Sequence, residues 1–162
     1  MDKHRQGHRE TLIQPQHHDR DKERQRIAGP AHCPGCDAYF DAGRWSWQRP
    51  AAGQPETVTC PACRRIADND AAGNVALSGG FVRNHREELL NLIRNTEDAE
   101  RREHALERLI GISEEEGKMM VATTGPHLAN RIGHALEAAY DGAVKYTYTD
   151  NETHLDVTWQ RD

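Results

Sequence analysis

The sequence predicts an α+β protein in two parts: an N-terminal ribbon clamped by four cysteines, then a small mixed sheet covered by helices, in the order β-α-α-β-α-β-β. Three observations predict it. The four cysteines fall in two matched pairs, Cys33-Pro34-Gly35-Cys36 and Cys60-Pro61-Ala62-Cys63. The C-terminal half alternates runs of strand period with runs of helical period. With 162 residues, 36% hydrophobic and 29% charged, there is material for one ordinary domain or two small ones.

Residues 1–30 hold few apolar side chains beyond Leu12, Ile13 and Ile27 and are rich in His, Arg, Gln and Asp. They cannot bury enough surface to offset ordering entropy, which predicts a disordered polar arm. His4, His8, His17 and His18 offer weak metal ligands or simply a solvated tail.

Residues 31–66 form the ribbon. Each Cys-x-x-Cys predicts a tight turn whose backbone N–H groups face the sulfurs, and two such turns supply the four thiolates of a structural Zn²⁺. The 23 residues between Cys36 and Cys60 suffice for a connecting hairpin. Two disulfides would need an oxidising compartment, whereas no apolar run follows Met1-Asp2-Lys3-His4-Arg5. A redox motif needs a single pair in a βαβ setting. A closed four-cysteine site has no open position, so the expected metal is structural, one per chain. Between the pairs, Trp45 and Trp47 alternate with Ser46, which places both indoles on one face of a strand. Thr57-Val58-Thr59 returns the chain to the second pair.

Residues 67–80, with Gly73, Gly79 and Gly80, suggest a linker containing a short strand at 75–77. The α+β domain then occupies 81–162. Phe81, Leu89, Leu90 and Ile93 have helical spacing, with Asn84 as an N-cap. Thr96-Glu97-Asp98 suggests the start of a second helix, its acids favourable to the dipole, with Leu106, Leu109 and Ile110 as its apolar stripe. Residues 118–123 predict a buried strand. Pro126 opens a helix whose Leu128, Ile132, Ala135, Leu136 and Ala139 share a face, closed by Gly142. Val144, Tyr146 and Tyr148, then Leu155, Val157 and Trp159, alternate along two strands of a hairpin turning at 149–152.

Motifs for common enzymes are absent from the sequence, among them Walker A, His-Glu-x-x-His and Gly-x-Ser-x-Gly. His104 and His134 read more simply as satisfied polar-face histidines than as catalysts. The expectation is a protein without enzymatic activity or a small-molecule substrate. No stretch reaches the ~20 apolar residues of a membrane span, and reduced thiols predict a cytoplasmic location.

Charge is uneven. Lys and Arg number seven against five acids in residues 1–30 and four against three in 31–66, but ten against eighteen in 67–162. A uniformly basic nucleic-acid binder is excluded, while a locally basic ribbon is not. Arg44, Trp45, Trp47 and Arg49 interleave cations with flat rings, the composition that stacks bases and contacts phosphates. Arg64 and Arg65 add charge beside the second cysteine pair. The same tryptophans could equally cover a small ribbon core. On the last helix, His127 and Arg131 share an outward face with Asn130 and His134, suited to phosphate or plain solvent. The acidic balance of 67–162 suits an alternative, a protein–protein adaptor that docks a basic partner.

Several strings occur in order: the two cysteine pairs, Gly43-Arg44-Trp45, Gly73-Asn74-Val75, Glu103-His104, Thr123-Thr124, His127-Leu128-Ala129 and Arg131-Ile132-Gly133. From about residue 31 to 161 they resemble a family of small bacterial zinc-ribbon proteins. That family is remotely similar to the N-terminal part of the archaeal and eukaryotic large-ribosomal-subunit export adaptor of the nonsense-mediated-decay name. The chain departs from the family pattern at Asn130, where a second arginine is usual. The resemblance implies association with the ribosome, ribosomal RNA or ribosomal proteins, in assembly or dormancy.

Overall fold

The structure is a computed structural model that describes residues 27–149 and 151–162. The arm expected at 1–30 lies almost wholly outside these residues. Among the described residues the fold is α+β, with two mixed sheets and four helices.

The first sheet is small. Strands β1 (Ala31–His32), β2 (Tyr39–Asp41), β3 (Arg44–Ser46) and β4 (Glu56–Thr57) lie in the order β3-β2-β1-β4, antiparallel except for β1 beside β4. The second cysteine pair then opens a helix, α1 (Pro61–Asp68), that the sequence reading did not include. Its signals are local: Cys60 sits in extended backbone as N-cap with its sulfur accepting from the Cys63 N–H, Pro61 occupies the first turn, and Asn69 closes the helix at φ 53°.

The second sheet contains β5 (Gly73–Ser78), β6 (Leu109–Glu115), β7 (Lys118–Thr123), β8 (Ala143–Thr149) and β9 (His154–Gln160), ordered β6-β7-β5-β9-β8. β5 and β9 run parallel, and the other neighbours are antiparallel. The segment 67–80, expected as a linker with a short strand at 75–77, therefore contributes the last two residues of α1 and a longer strand, β5, at the centre of this sheet. Two paired neighbours outweigh the weak strand propensity of Gly73 and Asn74. Gly79 leaves β5 at φ 105°, and a Cβ there would stand 2.0 Å from the Arg161 carbonyl oxygen. Only glycine fits that position.

Helices α2 (Gly80–Asn84), α3 (Arg86–Glu103) and α4 (Pro126–Tyr140) complete the fold. Asn84 ends α2 instead of capping α3, whose N-cap is His85. No second helix starts at Thr96. The Thr96 hydroxyl donates to the Leu92 carbonyl one turn back (2.7 Å), and α3 runs through. Glu97 instead accepts from the Leu109 N–H at 2.6 Å. Of the expected stripe, Leu106 consequently lies in a loop, while Leu109 and Ile110 begin edge strand β6.

The core lies between this sheet and its helices. Val75, Leu77, Met119, Val121, Leu155, Val157 and Trp159 pack against Leu89, Leu90, Ile93, Leu128, Ile132 and Leu136. On α4, Leu128, Ile132 and Leu136 are buried as the spacing predicts, but Ala139 is exposed, and Ala129 and Gly133 take the buried positions beside them. None of the described helices is long and apolar enough to cross a membrane.

Candidate metal centre and the adjoining cleft

Cys33 and Cys36 stand on the turn between β1 and β2, and Cys60 and Cys63 at the start of α1. Their four sulfurs lie within 4.8 Å of one another, close enough to hold a metal ion as a structural site. Cys36 Sγ and Cys60 Sγ are 3.7 Å apart. A tetrahedron with metal–sulfur bonds of ~2.3 Å separates its sulfurs by roughly 3.8 Å, so the pair fits. Backbone N–H groups of Cys60 and Cys63 donate to the sulfurs of Cys33 and Cys60, each at 3.3 Å. A Cβ on Gly35 would stand 3.0 Å from Cys63 Sγ, which keeps that turn free of a side chain.

The electrostatics ask for a cation. A hydrogen bond with Cys60 holds the Cys36 thiol down to about 5. That contact, with burial, pushes Cys60 far up. Burial pushes Cys63 up against the pull of Arg108. Four thiols this close do not ionise together without a positive charge at their centre. Arg108 supplies part of it, donating to Cys63 Sγ at 3.1 Å. Burial opposes its charge, but the bond to Cys63 and the neighbouring thiolates outweigh burial and raise its pKa. No sequence spacing marked Arg108, because it arrives from across the fold on the loop before β6.

That loop fixes the two parts together. Ala105 is buried in the cysteine module's core, with Leu106 packed against it. Trp47 donates its indole N–H to the Arg101 carbonyl of α3 at 2.7 Å, under the Arg101 guanidinium. Trp45 is 9% exposed and meets Phe40 edge-to-face at 5.5 Å. Both indoles thus turn inward, as the core-covering alternative had it, and a base-stacking strand is not what their geometry offers. β3 itself ends at Ser46.

The other candidate residues divide. Arg44, the edge of Trp45, Arg65 and His127 line one cleft of about 980 Å³ between the module and the sheet domain. Arg65 is also paired with Asp70 at 3.2 Å. Arg131 stands one turn beyond His127 and reaches Glu100 at 3.6 Å. Arg49 lies over the Tyr39 ring and Arg64 is exposed on α1, and neither is among the residues lining the cleft. The sequence reading passed over Glu100, although Glu100 and His104 have the i, i+4 spacing that puts them on one helix face. Compared with known proteins, the chain matches no family model, no curated protein and no solved structure.

Proposed function

We propose that the protein is a non-enzymatic, zinc-stabilised RNA- or ribosome-associated protein. Zinc is the ion that suits four thiolates in a closed tetrahedral arrangement. The observation that carries the RNA reading is the cleft at the junction, where Arg44 and Arg65 face His127 across about 980 Å³. The family resemblance supports it, because Gly43-Arg44-Trp45, Glu103-His104 and His127 all border this cleft. The cations contact phosphate; specificity comes from the shape of the cleft. By this reading the protein acts in ribosome assembly or dormancy, in the cytoplasm.

Sucrose-gradient fractionation of cell lysate tests it: the protein sediments with ribosomal particles, and Arg44→Ala together with Arg65→Ala shifts it to the top. Each lost phosphate contact also lowers the salt dependence of RNA binding by about one unit of slope. Sedimentation unchanged by both substitutions removes the cleft from the account.

A second reading is a protein–protein adaptor with an acidic docking domain, favoured by Glu103, Glu107 and Glu152 on the same cleft. A pull-down whose partners survive nuclease treatment selects it.

A further inference from the structure

We propose that Glu100, His104 and His127 form a second divalent-metal site, separate from the four cysteines, for a borderline transition ion such as Zn²⁺ or Co²⁺. Glu100 and His104 lie one turn apart at the end of α3, and His127 stands in the first turn of α4. Glu100 Oε2 is 2.6 Å from His104 Nδ1 and 2.9 Å from His127 Nε2. All three ligand atoms fall within 4.8 Å of one another.

Two imidazoles and one carboxylate are the donor set of open metal sites, which keep positions for water or another oxygen ligand. Bonds of ~2.0–2.1 Å separate neighbouring ligand atoms by roughly 2.9–3.4 Å, so each histidine needs to part from the carboxylate by less than about an ångström. Glu100 is only 6% exposed, and its second oxygen faces Arg131 Nε at 3.6 Å, which leaves Oε2 to the histidines. Such outer contacts orient a metal-binding carboxylate. Glu107, whose Oε1 accepts from the Leu128 N–H at 2.7 Å, lies beside the histidines, and burial pushes its carboxyl pKa up. Both imidazoles are about half exposed and border the cleft, so the open positions face it. The alternative is a carboxylate merely hydrogen-bonded between two histidines.

Titrating the metal-stripped, reduced full-length chain with Co²⁺ separates the two. The cysteine site reports through thiolate-to-cobalt charge-transfer absorption in the near ultraviolet. The second site adds weak visible bands without further charge-transfer intensity. Wild type takes up both; His127→Ala and His104→Ala keep the thiolate bands but bind the second equivalent at least about 10-fold more weakly. His4, His8, His17 and His18 are present in every variant and cannot produce the difference. Because His127 is exposed, its replacement leaves the fold intact, and an unchanged far-ultraviolet circular dichroism spectrum verifies that. Equal uptake by wild type and His127→Ala, or uptake of the cysteine-bound equivalent alone by wild type, overturns the proposal. The readout is metal binding by the chain itself, so it stands or falls apart from the RNA reading.

Discussion

The cysteine module and the sheet domain bury very different interiors. The module encloses two aromatic rings, Phe40 and Trp45, among alanines and cysteines, and takes Ala105 from its neighbour. The sheet domain encloses Trp159, six buried leucines and further branched side chains between a five-stranded sheet and its helices. At ~25 cal/mol per Å² of apolar surface, the second interior sustains its own fold and the first does not. The module stands because its thiols converge on one point and because Trp47, Ala105 and Arg108 tie it to the sheet domain. The contrast between them is one of converging thiols and docking against packing.

The strongest way to break that contrast is Cys60→Ser. Structural metal in small modules contributes on the order of 10 kcal/mol, so limited proteolysis of the variant is expected to cut within 31–68 while 73–162 survives. Trp159→Ala acts on the other side. Its indole is fully buried and donates to the Asp141 carbonyl at 2.6 Å, and its loss is expected to cost ~3–5 kcal/mol in urea unfolding of the sheet domain. Metal content at low denaturant is expected to stay unchanged.

Two changes sharpen the boundary. Arg108→Met removes the cation from Cys63 while keeping much of the side chain's volume. Metal affinity measured against a competing chelator is expected to fall about 10–100-fold, as outer contacts to metal ligands usually require. Trp47→Phe deletes the donor to the Arg101 carbonyl while keeping an aromatic ring, though a smaller one, beneath the Arg101 guanidinium. An effect of about 1 kcal/mol on thermal unfolding of the module is expected.

What was legible in the sequence follows from how local each signal is. The cysteine pairs, the strand at 118–123, the helix opened by Pro126 and the alternation of Leu155, Val157 and Trp159 are short-range patterns, and the structure contains each. Thr96-Glu97-Asp98 resembled a helix start because capping chemistry and mid-helix chemistry use the same residues. The Thr96 hydroxyl turned back to Leu92, and Glu97 reached forward to Leu109. Leu109 and Ile110 suit either period, and pairing with β7 decided for strand. Arg108 at Cys63 and Glu100 between two histidines depend on residues 45 and 27 positions apart. No local pattern encodes such meetings.

Hydrogen exchange on the metal-loaded and chelated protein tests the central claim most directly. Removing the metal is expected to release the amides of 31–68 and of the 104–108 loop, while those of β5, β7 and β9 stay protected. Equal loss of protection in both regions, or none in the module, contradicts it.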